Sequence, residues 1–273
     1  APNVAEGQKV ALARLGTTLP NGMTMAPRKI RGVKSEGMLC AEDELGLSED
    51  HEGILVLDPA SKEGLPLAEA LGHTDVILEL GVTPNRPDAL SHLGVARELA
   101  ALSGLPAPSV EPRVEETGAP AAQLARVSVE DEAGCGRYAA RVLSGVKVGP
   151  SPRWVQDRLR ALGQRPISNV VDATNFALLE LGHPLHGFDL ERLEGREIRV
   201  RSARAGETIA LLDGSEKTLD APDLVIADAS GPVALAGVMG GASSEVGEGT
   251  STILLESAWF APSRVRRASK RHA

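Results

Sequence analysis

The sequence predicts an α+β fold, and three features of its 273 residues lead to that prediction. Between residues 197 and 260, six apolar runs are separated by Gly or Asp turns, which is typical of strands. Other segments repeat apolar residues at helical spacing. Hydrophobic residues make up 42% of the chain but aromatic residues only 2%. We therefore expect cores of Leu, Val, Ile and Ala, in a chain long enough for two domains.

The first 71 residues read as a small barrel or sheet. Short apolar runs such as KVALARLG, GMLCA and GILVLD alternate with Gly and Pro-Asn-Gly turns. Lys29, Arg31 and Lys34 form a local basic cluster in this part of the chain. Such a cluster is either a solvated face or a contact for phosphate groups.

A change of pattern follows at residue 72. Val76–Leu80 is predicted as a strand, and Thr83–Pro87 as a rigid loop. Asp88 is predicted to cap a helix that runs to about Leu102. The Pro- and Glu-rich residues 107–120 are typical of a linker and mark the predicted domain boundary.

The next segment mixes strands and a short helix. LARVSVED and RYAARVLSGVKVG alternate in the manner of strands, and SPRWVQDRLRALG has the spacing of an amphipathic helix. Ser151 is the predicted cap of that helix and Pro152 its first residue. A second, basic helix is predicted to begin at Pro262, and its cations near the C-terminus suit the helix dipole.

Arg165–Asp189, RPISNVVDATNFALLELGHPLHGFD, is the most informative stretch. A helix is predicted over NVVDATNFALLEL, with Ser168 or Asn169 as N-cap and Gly182 as the C-terminal stop. Residues 183–189 are predicted as a loop that carries two imidazoles and a carboxylate. Such a loop could place a proton carrier beside a ligand, although histidines next to glycine are also common as structural residues.

Composition narrows the functional classes. The formal net charge of −8 argues against a polyanion clamp along the whole surface, and six aromatic residues offer little base stacking.

Cys40 and Cys135 lack the spacing of a zinc site or a disulfide framework, which fits a reducing cytoplasm. No run is long enough to cross a bilayer, and no signal pattern opens the chain. The missing initial Met suggests a start inside a larger polypeptide.

Several polar groups remain as candidates for chemistry. PVALAGVMGG does not match a phosphate loop, but the backbone at Gly240 and Gly241 could approach a ligand closely and stabilise an oxyanion; a tight hairpin is the alternative reading. Glu256 ends an apolar strand, where partial burial is expected. No serine elbow or HExxH pair is present. Together with Asn175, His183 and His186, these groups suit hydrolysis by an activated water.

Five strings occur in a fixed order: VTPNRPDAL, RPISNVVDATNF, HPLHGFD, LAGVMGG and LLESAWF. In this order and at these separations the chain resembles the β subunit of bacterial phenylalanyl-tRNA synthetase. KIRGVKSEGMLCAEDELGL also resembles the end of that subunit's tRNA-binding OB domain, so that the resemblance covers nearly the whole chain.

The resemblance implies a domain layout. Residues 1–71 would be the C-terminal part of an OB-type β-barrel, and residues 72–106 part of the N-terminal α+β domain. After the linker 107–120, residues 121–273 would form the third and fourth domains, a larger mixed α/β domain of the β-subunit core type. Those domains would be incomplete at their C-terminus, because a family segment that completes the pocket would follow.

The resemblance also implies a function, namely hydrolysis of tyrosine wrongly attached to tRNA(Phe). The family's editing residues fall on His186, Glu256 and Asn175 as catalytic groups and on Gly240 and Pro184 as substrate-binding groups. From the residues themselves we add Gly241 as a substrate-binding group and Lys29, Arg31 and Lys34 as tRNA contacts. Glu256 would accept the tyrosine phenol. The family implies two α and two β subunits in the cytoplasm, without membrane contact. It implies ATP and Mg²⁺ for the complete enzyme but no cofactor or metal in this part.

Two alternatives remain open from the sequence. One is a metal-assisted hydrolase that uses His183, His186, Asp189 and Glu256. The other is a non-catalytic scaffold that docks tRNA or the α subunit. One departure from the family also matters, because Gly187 stands where the family usually has alanine and could soften the loop.

Overall fold

The computed structural model describes residues 1–72 and 75–272, and these residues divide into two compact units, Ala1–Leu78 and Glu79–Ala273. His73, Thr74 and Ala273, which belong to the predicted segments 72–106 and 121–273, lie outside the described residues. The predicted α+β class is confirmed, since both helices and strands build the chain. Of the helices in the described ranges, none has the length and hydropathy needed to span a bilayer.

The first unit is built from short strands and one short helix, in chain order β1 Lys9–Val10, β2 Leu12–Arg14, β3 Arg28–Ile30, β4 Val33–Ser35, β5 Gly37–Leu39, β6 Val56–Leu57 and α1 Leu67–Ala70. In the described part of the unit the strands pair two by two, β1 with β6, β2 with β5 and β3 with β4. Its core contains the buried residues Leu19, Cys40 and Leu55 with several methionines around them.

The second unit contains the helices α2 His92–Ser103, α3 Ala121–Leu124, α4 Arg153–Ala161, α5 Asn169–Leu181 and α6 Pro262–His272. Its strands are β7 Arg126–Val129, β8 Cys135–Ser144, β9 His186–Asp189, β10 Glu197–Ser202, β11 Thr208–Ala210, β12 Glu216–Thr218, β13 Leu224–Ala227, β14 Pro232–Leu235, β15 Met239–Gly240 and β16 Thr252–Phe260. The strands predicted from alternation after residue 124 are therefore confirmed.

Two sheets of the second unit enclose its main core. Among the described residues, one sheet has the order β15-β14-β13-β10-β7 and the other the order β8-β16-β9. The core between them contains buried residues from both sheets: Phe188, Leu254, Ile198, Val200, Leu224, Ile226 and Val233. The apolar alternation of these strands thus faces inward from both sides, as expected for packed sheets.

The predicted central helix is confirmed as α5. Ser168 is its N-cap and accepts a hydrogen bond from the Val171 N–H, while Gly182 closes the helix in the left-handed region at φ 80°. Helix α5 packs against α2, α4 and β9. Both ends of this helix were readable in the sequence because capping is a local interaction.

Two predicted caps are wrong, one by three residues and one by a single residue. Helix α2 is capped by Ser91, whose hydroxyl accepts from the Gly94 N–H, whereas Asp88 lies in a preceding turn and pairs with Arg86. Ser151 does not cap α4, because Pro152 occupies the N-cap. The Ser151 hydroxyl instead donates to the buried carboxylate of Asp172 over 2.6 Å.

Two further predictions are wrong. Val76–Leu80 has no strand partner among the described residues and is exposed, with Val76 76% exposed. The predicted loop 183–189 ends in a strand, since His186–Asp189 pairs with residues 253–256. Its partner lies more than 60 residues away in the chain, so no local pattern could indicate the pairing.

We expect Gly182→Ala to lower the free energy of unfolding by about 1–2 kcal/mol, because a side chain in the left-handed region costs that much. An added Cβ would also lie 3.2 Å from the Ser91 side chain that caps α2. Gly231→Ala is a matched control, since an added Cβ there meets nothing within 4 Å and the residue is outside that region. Urea denaturation with equal effects for both variants would contradict this account.

Candidate active site

The site is organised around β16, the central strand of its sheet. Glu256 lies directly opposite His186 of β9 on one side and Ala140 of β8 on the other. Residues that face each other across antiparallel strands point their side chains to the same face. The imidazole and the carboxylate, 70 residues apart in the chain, therefore share the face that covers the main core.

Glu256 is a buried carboxylic acid with one aromatic partner. Only 7% of the residue is exposed, and its Oε2 accepts a hydrogen bond from the Tyr138 hydroxyl over 2.8 Å. Burial raises the pKa of the Glu256 carboxyl to about 7, although the hydrogen bond from Tyr138 opposes the rise. The expected partial burial of Glu256 is thus confirmed, and the group can hold or release a proton near neutral pH.

His186 is held between an aromatic ring and a glycine backbone. Its ring meets Phe188 edge to face, with 4.6 Å between centroids. Burial lowers the pKa of the His186 imidazole. Because the ordinary value is about 6.5, the ring is neutral at pH 7 and keeps one nitrogen able to accept a proton.

The backbone of Gly240 lies close to the imidazole of His186. A Cβ built on Gly240 would lie 2.7 Å from the His186 Cε1 and 2.8 Å from its Nε2. Real Cβ atoms do not approach so closely, so the position accepts only glycine without displacing the ring. The two sheets therefore meet at the imidazole of His186.

Gly241 has a structural reason to be glycine. A Cβ there would lie 2.5 Å from the Val233 carbonyl oxygen, and the Gly241 N–H already donates to that oxygen over 2.8 Å. This donor is consequently engaged within the sheet in the present arrangement, and Gly240 is the better candidate for contact with a ligand.

Asn175 and Pro184 are not brought to the same face. Asn175 is half-buried on α5, which packs against β9, and a Cβ built on Gly187 of β9 would lie 3.4 Å from the Val170 side chain of that helix. Because strand side chains alternate, His186 points to the opposite face. Pro184 is exposed just before β9. The roles of Asn175 and Pro184 stay predictions.

The residues proposed as metal ligands together with His186 and Glu256 either form hydrogen bonds within the protein or are exposed to solvent. Asp189 accepts hydrogen bonds from the Thr250 hydroxyl over 2.6 Å and from the Glu191 N–H over 2.9 Å. His183 is exposed after α5. In residues 1–72 and 75–272, no group of three or more His, Cys, Asp and Glu side chains is arranged to hold a metal ion.

The basic cluster of the first unit lies on an exposed hairpin formed by β3 and β4. Lys29 of β3 is directly opposite Lys34 of β4, and the turn between the strands is Arg31-Gly32, with φ of 51° and 84°. These three basic side chains are exposed. Like charges placed opposite each other destabilise a hairpin, although Glu36 pairs with Lys34 at 2.6 Å.

Tyr138 is the site residue that the sequence analysis missed. It is the only tyrosine in the chain and lies on a correctly predicted strand. A tyrosine within an alternating strand indicates a ring directed into a core, where its hydroxyl needs a partner. The partner is 118 residues further along the chain, and nothing local indicates it.

Comparison with known proteins adds two family matches. A family model described as "B3/4 domain" matches residues 134–273, and one described as "Putative tRNA binding domain" matches residues 1–66. The former spans just over half of the chain and includes Tyr138, His186, Gly240 and Glu256.

Curated relatives match along the whole chain. The phenylalanine-tRNA ligase beta subunit of Anaeromyxobacter dehalogenans (strain 2CP-C) is 56% identical over 272 residues, which are 100% of this chain and 34% of that protein. The corresponding subunit of Geobacter sulfurreducens is 52% identical over 271 residues, 99% of this chain and 34% of that protein. The chain thus spans about a third of the length of these relatives.

We expect Glu256→Gln to stabilise the chain in a pH-dependent manner. Because burial raises the pKa of the carboxyl from 4.5 to about 7, the folded chain binds this proton more tightly than the unfolded chain. The contribution of protonated Glu256 to the free energy of unfolding is therefore full below pH 4.5 and is lost as the pH rises through 7. The advantage of the uncharged glutamine should grow from near zero at pH 4.5 to about 3 kcal/mol at pH 8.

Urea denaturation between pH 4.5 and pH 8 measures this difference. Glu248→Gln is the matched control, since Glu248 is exposed and water solvates its charge in both states. An advantage of Glu256→Gln that did not change with pH would contradict the account.

Proposed function

The chain belongs to the B3/4 domain family, and from this membership we propose that it acts as part of a phenylalanine-tRNA ligase β subunit that hydrolyses tyrosine wrongly attached to tRNA(Phe). The names of the curated relatives support this proposal, since they match 99–100% of the chain. The observation that best supports the proposal is the hydrogen bond that the Tyr138 hydroxyl donates to Glu256. It demonstrates that this buried carboxylate can accept a hydrogen bond from a phenol.

A phenol acceptor is what discrimination between tyrosine and phenylalanine requires. A pocket shaped for phenylalanine rejects an added hydroxyl only about 10²-fold, whereas a site that hydrogen-bonds a hydroxyl rejects its absence by about 10⁴-fold or more. Glu256 would supply that bond. Hydrogen bonds to charged groups contribute about 1.5–3 kcal/mol each, and a buried site strengthens them.

His186 and Gly240 would serve the ester and its attacking water. A neutral imidazole can accept a proton from water, so His186 is the proposed base, and the ribose hydroxyl of the substrate could assist in that step. Gly240 leaves room for the backbone to approach the reacting group. Asn175, Gly241 and Pro184 complete the proposed set.

The first unit would contribute tRNA contacts. Its match to a putative tRNA-binding model supports a role for Lys29, Arg31 and Lys34 on the exposed hairpin. We further propose that residues 1–71 are the C-terminal part of an OB-type barrel and residues 72–106 part of the N-terminal domain. Residues 107–120 would then be the linker to the third and fourth domains in 121–273.

The remaining proposals concern the whole enzyme. An α subunit would carry out aminoacylation with ATP and Mg²⁺, in a cytoplasmic assembly of two α and two β chains. No cofactor or metal is proposed for this chain. Within it, the residues that we place in the site would bind and orient the substrate and move a proton.

A scaffold without hydrolytic activity is the second candidate. The burial of Glu256 and its existing partner Tyr138 favour it, because a carboxylate engaged within the protein could be structural. The two candidates differ in the effect of Glu256 variants on hydrolysis.

In the complete enzyme of α and β chains, we expect Glu256→Gln to slow deacylation of Tyr-tRNA(Phe) by roughly 10–100-fold, through loss of a hydrogen bond to a charged group. His186→Ala should slow it by roughly 10²-fold or more if the imidazole is the base. The measurement is release of labelled amino acid from preformed Tyr-tRNA(Phe) and Phe-tRNA(Phe).

Glu248→Gln is the control and should retain the wild-type rate. Full hydrolysis by Glu256→Gln and Glu256→Ala would favour the scaffold. Full hydrolysis by His186→Ala alone would remove the imidazole from the mechanism and leave the phenol acceptor in place.

We expect Lys29→Ala/Lys34→Ala to weaken binding of tRNA(Phe) by the complete enzyme and to reduce its salt dependence. For every phosphate that is no longer neutralised, the slope of log K against log salt should fall by roughly 0.7–0.9. Lys62→Ala, also exposed in the first unit, is the control. Unchanged affinity and slope for the double variant would place the tRNA-binding residues elsewhere.

A further inference from the structure

Tyr138 and Glu256 are fixed to each other by strand register. Ala140 of β8 is directly opposite Glu256 of β16, and Tyr138 lies two residues earlier on β8, so its side chain points to the same face. The phenol oxygen of Tyr138 is 2.8 Å from the Glu256 Oε2. The ring packs against the main core of the second unit, which restricts both partners to this geometry.

The hydrogen bond from Tyr138 engages Oε2 of the Glu256 carboxylate and leaves the lone pairs of Oε1 able to accept another hydrogen bond. An ionised carboxylate has about four acceptor sites on two oxygens, and the Tyr138 hydroxyl uses one of them. With Oε2 held, rotation of the carboxylate is restricted and Oε1 keeps a defined direction. A group held in advance binds a ligand at a lower cost in entropy.

We propose that Tyr138 is a positioning residue for the discrimination of tyrosine, which presents the free oxygen of Glu256 to the phenol of a bound tyrosyl ester. The inference rests on the proposed editing function, because it assigns the ligand phenol to Glu256. It adds a residue that acts through Glu256 rather than on the reacting ester.

The same bond keeps Glu256 an acceptor. Burial alone favours the protonated acid, which donates through its hydroxyl, and the hydrogen bond from Tyr138 lowers the pKa of the carboxyl against that effect. Loss of the Tyr138 hydroxyl therefore raises the pKa of Glu256 further. At neutral pH more of the site would be protonated and less of it would accept a phenol.

In the part of the chain that the structure describes, the titratable groups next to Glu256 other than Tyr138 are uncharged at neutral pH. His186 faces it from β9 and is neutral because burial lowers its pKa. Cys135 of β8 is buried, and burial together with the charge of Glu256 raises the pKa of its thiol. The strands across the core contribute aliphatic side chains such as Ile198 and Leu224. Tyr138 is thus the group whose removal most directly alters Glu256.

The test is Tyr138→Phe in the complete enzyme, with hydrolysis of Tyr-tRNA(Phe) and Phe-tRNA(Phe) measured from pH 6 to pH 9. We expect the preference for tyrosine to fall roughly tenfold or more at pH 7 and to recover in part towards pH 9, where Glu256 ionises again. A structural role of the hydroxyl would lower both rates without such a pH profile. A preference unchanged at every pH overturns the proposal.

Glu256→Gln and the double variant complete a cycle. If Tyr138 acts through Glu256, then Tyr138→Phe should change the preference much less in the Glu256→Gln background, and additive effects would overturn the proposal.

A measurement without catalysis separates this proposal from the editing function. In the complete enzyme, 3-fluorotyrosine incorporation places a ¹⁹F label beside Glu256 without removing the hydroxyl, and the resonance of Tyr138 is identified by its absence from Tyr138→Phe. The resonance should titrate with the Glu256 carboxyl near pH 7, and the titration should disappear in Glu256→Gln.

The two failures are then distinguishable. A wild-type enzyme with no preference for Tyr-tRNA(Phe) contradicts the editing function, and the positioning role in discrimination falls with it, even if the ¹⁹F titration demonstrates the coupling. Selective hydrolysis by the wild type together with an absent ¹⁹F titration overturns the positioning role alone.

Discussion

The pairing of β16 with both β8 and β9 is the constraint on which the rest of the site depends. Strand β16 pairs with β8 from Thr252 to Phe260, in one register up to Trp259 and with a shift before Phe260, and with β9 from Ile253 to Glu256. A shift of one residue would turn Glu256 to the opposite face. Because buried apolar residues such as Leu254 and Phe188 lie on the same face, the hydrophobic core itself determines the register that assembles the polar site.

Placing an acid in that core has an energetic cost. Burial of a carboxylate without compensation disfavours its charge, and the protein responds by a raised pKa of Glu256 rather than by a counter-ion. The Tyr138 hydroxyl offsets part of that cost with a neutral donor. A neutral donor leaves the charge available to a ligand, whereas a lysine or arginine partner would compete more strongly for the same oxygens. The stability that the protein loses by burying Glu256 is thus linked to the phenol recognition that we assign to this residue.

The electrostatics of the chain are local rather than global. The net charge is −8, yet four of the seven Lys and Arg residues in residues 1–72 fall within residues 28–34. The hairpin exposes them to solvent, with Lys29 opposite Lys34. Surface charge of opposite sign elsewhere does not cancel such a cluster beyond about 8 Å at physiological salt, so an acidic protein can still present a site for polyanions.

Much of the fold was determined by the sequence itself. The sequence displays local features directly, because they involve residues close together in the chain. Examples are the cap at Ser168, the stop at Gly182 and the apolar runs that form β10 to β16. The motifs that carry His186, Gly240 and Glu256 were likewise readable as separate strings. Only the tertiary structure decided that His186 lies in a strand, that Ser151 bonds to Asp172 rather than capping α4, and that Tyr138 reaches Glu256. Each of these depends on a partner tens of residues away, which is selected by packing between sheets and helices and has no signature in the local pattern of the chain.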